Sequence, residues 1–151
     1  MNEPKSLTRP HPDAGWSLVE VLIAVAIVLM MSATVGQAGL RQLERARTAA
    51  ARAHIRVFAD ALQEYATDCG THPGPVDGLG ALWNRPVGEH ADSWAGPYLD
   101  GEVPRDPWGN EYRYHVPGPN GLAWEILSLG ADGAPGGSDA AADIISWRRD
   151  P

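Results

Sequence analysis

From Trp16 to Val35 the chain reads WSLVEVLIAVAIVLMMSATV, an apolar run with one charged group, Glu20, near its start. At about 1.5 Å per helical residue such a run spans roughly 30 Å, the thickness of a bilayer's hydrocarbon core. A buried core helix or a secretory signal peptide has a similar look. A signal peptide, however, carries a basic region directly before the run and a small-residue cleavage site after it. The preceding MNEPKSLTRPHPDAG is polar and proline-rich, and no A-x-A site closes the run. The segment is therefore expected to remain as a membrane anchor, with a lipid bilayer as its partner.

Glu20 is the informative residue within it. A carboxylate in a membrane span costs on the order of 2.5–3.5 kcal/mol at the centre and less at the interface. It either snorkels to the interface or has a partner. Trp16 lies four residues earlier, on the same helix face. A cut between Gly15 and Trp16 would create an α-amine on that face, available to Glu20 of the same chain or of a neighbour.

Helical periodicity continues past the run. Leu40, Leu43, Ala46, Ala50, Ala53, Val57, Ala61 and Tyr65 recur at three- and four-residue steps, with arginines on the other faces. This predicts one helix whose second half packs on a small domain. It is expected to end at Asp68-Cys69-Gly70, ahead of Pro73-Gly74-Pro75. A short helix is expected over Leu79–Trp83. YRYHV and AWEILSLG have strand character, and the intervening GPNG suits a hairpin turn. The predicted class is α+β, a long helix on a small antiparallel sheet.

Charge and cysteine usage narrow the function. The net charge is −7, and the stretch from Ala61 onward has fourteen acids against five arginines. From Arg41 to Asp60 five arginines face only two acids. An acidic globular part argues against nucleic acid as a partner. The single cysteine, Cys69, excludes an internal disulfide and is read as structural. No base, nucleophile or closed metal site stands at a recognisable spacing, so an enzyme is not expected. Asp106, within DPWGN, reads as turn chemistry, and Trp83, Trp94 and Trp108 read as anchoring aromatics.

Near the C-terminus Asp132, Asp139 and Asp143 sit in a Gly- and Ala-rich loop able to turn carbonyls inward. Calcium takes six to eight oxygens at about 2.3–2.6 Å, mixing carboxylates with backbone carbonyls. The spacing is not that of an EF-hand. On spacing alone, a metal-free acidic surface loop is the simpler reading.

Several of these stretches carry a resemblance. Gly15-Trp16-Ser17-Leu18-Val19-Glu20 followed by the aliphatic run resembles the class III signal of type IV pilins and type II secretion pseudopilins. Trp16 replaces the usual Phe or Met, and Asp13-Ala14 replaces the usual basic residues. Gln37 stands near the place of a common proline, flanked by Gly36 and Gly39. Gly70-x-His72-Pro73 with Asp77-Gly78-Leu79-x-Ala81-Leu82 resembles the G-x-Y-P and Q-G-L-x-A-L blocks, with His72 in place of Tyr. Asp106-Pro107-Trp108-Gly109-Asn110-x-Tyr112-x-Tyr114 matches D-P-W-G-N-x-Y-x-Y. Ser128-Leu129-Gly130-Ala131-Asp132-Gly133, with Gly136-Gly137 and Asp143-Ile144, matches the S-L-G-A-D-G loop. Over residues 15–147 the chain is thus similar to the major pseudopilins of type II secretion.

The resemblance implies a type IV pilin-like fold with a calcium-binding C-terminal loop. It implies a leader over residues 1–15, a transmembrane and assembly helix over 16–38, its amphipathic half over 39–68, and a periplasmic globular domain over 69–151. Prepilin peptidase would cut after Gly15 and methylate Trp16, and Glu20 would guide docking of neighbouring subunits. Leu129, Asp132 and Asp143 inherit calcium-holding roles, and Asp139 is expected to stand in for acids replaced by Ala141 and Ala142. The implied function is a subunit of a periplasmic homopolymer, the pseudopilus, which drives folded proteins across the outer membrane. Minor pseudopilins and the inner-membrane assembly platform are the further partners implied. The alternatives are a type IV or competence pilin subunit, and a membrane-anchored periplasmic calcium-binding module that does not polymerise.

Overall fold

The computed structural model describes residues 16–88 and 90–148, with the side chains of 32–38 left aside. Helix α1 runs over Leu18–Cys69. Ser17 caps its start: the Ser17 carbonyl accepts from the Glu20 and Val21 amides, and its Oγ accepts the Glu20 N–H at 3.2 Å. These bonds satisfy donors that a helix N-terminus leaves without partners. The chain divides between Leu40 and Arg41 into two compact units.

In the first unit every described side chain from Trp16 to Met31 is exposed. Leu18 is 77% exposed and Met30 74%. Among the described residues no helix is long and apolar enough to cross a membrane. The span expected from Trp16 onward includes residues 32–38, whose side chains lie outside the description, as does the leader over 1–15.

In the second unit α1 buries Ala51, Ile55, Phe58, Ala61, Leu62 and Tyr65. The stripe expected from the sequence was partly misplaced. Of its members only Ala61 and Tyr65 are buried; Leu40, Leu43 and Val57 are largely exposed. Alanines occur at helical spacing on several faces of this segment, whereas Ile55, Phe58 and Leu62 lie on one face. Each such large side chain contributes about 1.5–3 kcal/mol on burial, so the bulky set decides which face turns inward.

Opposite that face stands a three-stranded antiparallel sheet of order β1-β2-β3. Its strands are β1 (Arg113–His115), β2 (Glu125–Ser128) and β3 (Ile144–Ile145). Tyr114 pairs with Ile126, and Leu127 with Ile145. The first two strands and the turn between them are as the sequence predicts, while β3 is new. The expected short helix is a 3-10 turn over Gly78–Leu82, and it contributes Leu79, Ala81 and Leu82 to the core. α1 ends at Cys69, as expected, and Gly70 leaves it with φ +75°, a left-handed conformation suited to glycine.

Aromatic rings lock sheet and loops to the helix. Phe58 meets Tyr112 edge-on with centroids 5.1 Å apart, and Tyr65 meets Tyr98 at 5.6 Å. Their polar ends find partners: Tyr98 donates to Asp68 Oδ2 at 2.8 Å, and Tyr114 to the Pro73 carbonyl at 3.1 Å. Burial pushes the phenols of Tyr98 and Tyr114 up to about 12. Trp94 donates its indole N–H to the Ala81 carbonyl at 2.9 Å, the anchoring role read from the sequence.

Candidate functional site

The loop from Leu129 to Asp143 connects β2 to β3 and folds back on itself. After Leu129 a 3-10 turn covers Gly130–Asp132, and a second covers Asp139–Ala141. Gly130 sits at φ +64°, and a Cβ there would lie 2.9 Å from both the Ala140 and Ala142 carbonyl oxygens. Only glycine lets the two limbs come this close. The ring is closed at Asp143, whose N–H donates to the Gly136 carbonyl at 3.3 Å while its Oδ2 accepts the Gly136 N–H at 2.8 Å.

The sequence-predicted ligands are placed unequally. The other carboxylate oxygen of Asp143, Oδ1, is buried and has no hydrogen-bond partner. A buried acceptor left so costs about 1–3 kcal/mol, and a cation would remove that cost. Asp132 is exposed and accepts the Ala134 N–H at 3.1 Å. Asp139 is exposed and holds a positive φ of 53°. Among the described residues no three His, Cys, Asp or Glu side chains converge as a metal cluster. A hard cation here would thus draw on backbone carbonyls, such as that of Leu129, as well as on Asp143. Those oxygen donors suit calcium and not a thiolate- or imidazole-seeking metal.

A second set of residues holds this loop from outside. Asn110 donates its side-chain N–H to the Gly130 carbonyl at 2.9 Å. Asp106 is 4% exposed; its Oδ1 accepts the Trp108 and Asn110 N–H groups, and its Oδ2 accepts from Ser128 Oγ at 2.6 Å. The carboxylate thus welds the DPWGN turn to the end of β2. Burial, with the Asp106 charge second, pushes the Tyr112 phenol up. Trp108 in turn donates to Glu44 Oε2 on α1 at 2.9 Å, and Arg47 binds the other Glu44 oxygen at 2.8 Å. The turn was legible from Asp-Pro and Gly-Asn. Its grip on the loop was not, because Ser128 and Gly130 lie some twenty residues further along.

At the other end of the chain Trp16 and Glu20 are exposed, with Glu20 in the first helical turn. Ser17, three residues before Glu20, is the capping residue that the sequence reading passed over. Its signal is the S-x-x-E pattern of Ser17-Leu18-Val19-Glu20. Gly15 lies outside the described residues.

Comparison with known proteins agrees with this arrangement. The family model described as type II secretion system (T2SS), protein G matches residues 39–147. The type II secretion system core protein G of Pseudomonas aeruginosa is 36% identical over 136 residues, covering 89% of this chain and 95% of that protein. The core protein G of Vibrio cholerae is 34% identical over 142 residues, covering 93% and 96%. The crystal structure of the major pseudopilin from the type 2 secretion system of enterohaemorrhagic Escherichia coli superposes with a TM-score of 0.53. It is 27% identical and covers 68% of this chain and 88% of that one. The chain therefore belongs to the protein G family of type II secretion, the major pseudopilins.

Proposed function

We propose that the chain is the structural subunit of a type II secretion pseudopilus, polymerising through its N-terminal helix to drive export of folded proteins across the outer membrane. The observation that carries this reading is the aliphatic surface of α1 from Leu18 to Met31, exposed on every side. Contiguous apolar surface on this scale marks a lipid or protein interface. In the precursor the bilayer of the inner membrane covers it, with the C-terminal domain in the periplasm. In the filament the helices of neighbouring copies cover it.

Prepilin peptidase cuts after Gly15 and methylates Trp16. The new cationic amine of one copy is then neutralised by Glu20 of the next, as the assembly platform and minor pseudopilins add subunits. Without that partner a carboxylate entering an apolar bundle is costly, so Glu20 acts as a register check. Glu20→Ala is expected to insert in the membrane normally and to assemble poorly, as judged by electron microscopy of filaments. Normal filaments from that variant would refute the docking role.

The C-terminal loop holds calcium in this reading. Leu129 through its carbonyl and Asp143 through its carboxylate would hold the ion, and the exposed Asp132 and Asp139 would close on it as it binds, supplying the cross-link that a single cysteine cannot. The buried, unpartnered Oδ1 of Asp143 supports it. At a hundredfold excess over the dissociation constant, calcium adds about 2.7 kcal/mol of stability, roughly a 10 °C rise in the unfolding midpoint. A thermal melt of the full chain in detergent, in calcium and then in chelator, checks this. An unchanged midpoint would remove calcium and leave the filament reading in place.

A further inference from the structure

Between α1 and β3 lies an open cavity of about 480 Å³, lined among others by Ile55, Ile144 and Ile145 and by Arg52, Arg56 and Arg148. This concentration of positive charge stands out in a chain whose globular part is acidic. Among the described residues no carboxylate forms an ion pair with Arg56 or Arg148. Four and eight residues after Arg56, α1 exposes Asp60 and Glu64, which are likewise without an ion pair among the described residues. Arg56 and Asp60 stand at the spacing of helical neighbours but in the weaker order, cation before anion.

The helix therefore presents cations first and anions one to two turns later. We propose that the arginine groove is an interface between copies of this chain, in which Arg56 and Arg148 of one copy receive Asp60 and Glu64 of the next. The proposal rests on the pseudopilus reading, which places the helices of successive copies parallel and staggered. A stagger of about 6 Å, the rise over four helical residues that also sets Glu20 of one copy level with Trp16 of another, brings Asp60 level with Arg56 and leaves Glu64 one turn further along the same face. Guanidinium groups bind carboxylates through paired N–H donors, which gives such a contact direction as well as charge. Groove and acids lie one to two turns apart along the helix and carry opposite charge, so the contact joins unlike patches, is heterologous and repeats without closing, as a filament requires.

Charge reversal in the full chain, with filaments counted by electron microscopy, tests this. Arg56→Glu alone and the pair Asp60→Arg and Glu64→Arg are each expected to lower filament yield about tenfold. All three substitutions together are expected to restore most of it. The residues are exposed, so thermal midpoints in detergent should stay unchanged, which separates lost docking from lost folding. Parental yield from the single reversals, or no recovery in the combination, would overturn the proposal. Loss of binding to anionic phosphatidylglycerol vesicles by Arg56→Glu, with no effect of reversing the acids, would overturn it in favour of a lipid headgroup site. A parental chain that forms no filaments would overturn the pseudopilus reading itself, and this interface with it.

Discussion

Leu22, Ile23, Leu29 and Met30 are more than half exposed, whereas Ile55, Phe58 and Leu62, further along the same helix, are 4% exposed or less. The second set is covered by residues of its own chain: the 3-10 turn, the sheet and the aromatics of the loops. Among the described residues the first set has no such cover. A few aliphatic side chains at about 1.5–3 kcal/mol each match the 5–15 kcal/mol that ordinarily holds a whole domain folded. One half of α1 is thus packed within its own chain, and the other half presents apolar surface that, in the proposed filament, further copies cover.

Substitution should expose that contrast most sharply. Leu62→Ala is expected to cost about 2–5 kcal/mol in denaturant unfolding of the detergent-solubilised chain. Leu22→Ala is expected to change it by less than about 0.5 kcal/mol and to lower filament yield instead. Equal losses of stability from both would erase the distinction. Asp106→Ala should come next, at about 3 kcal/mol, because it strands the Ser128 hydroxyl and two backbone N–H groups inside the second unit.

Asn110→Ala touches only the grip on the loop. On the proposed calcium reading it should weaken binding of the ion about tenfold, measured by titration calorimetry, as removal of an outer hydrogen bond usually does. Unchanged affinity would detach the DPWGN turn from the ion. The smallest effect concerns His72, whose Nε2 is buried without a partner and whose ionisation burial pushes below the usual histidine value. The unfolded chain then takes up the proton more readily. The contribution of His72 is fully present above about pH 6.5 and is lost as pH falls through its lower folded value. A shallower fall in thermal midpoint between pH 7 and 5 for His72→Tyr checks this, and an identical fall in both would refute it.

Much of the fold was legible. The end of α1, the hairpin of β1 and β2, and the α+β class follow from breakers and strand-forming runs that act locally. The buried face of α1 was not, because alanines mark several faces at the same period and only the bulky Ile55, Phe58 and Leu62 choose among them. β3 is two residues long and exists through its register with Leu127 and Ser128, which no local pattern announces. In the loop the sequence put Asp132 and Asp143 on an equal footing, with Asp139 as a stand-in. Burial alone sets Asp143 apart, and it depends on the fold-back that Gly130 permits. The capping pattern at Ser17 was present in the sequence and shows that the segment around Glu20 has a local structural task beside any part in assembly.

The central claim is that the exposed half of α1 becomes covered by other copies of the chain. Its most direct test is photo-crosslinking in cells that carry the secretion apparatus, using Leu22→Cys bearing a benzophenone maleimide in a Cys69→Ser background. A ladder of crosslinked multimers is expected, and it should disappear when Glu20→Ala is added. Crosslinks to lipid alone, with the chain remaining a single copy, would contradict it.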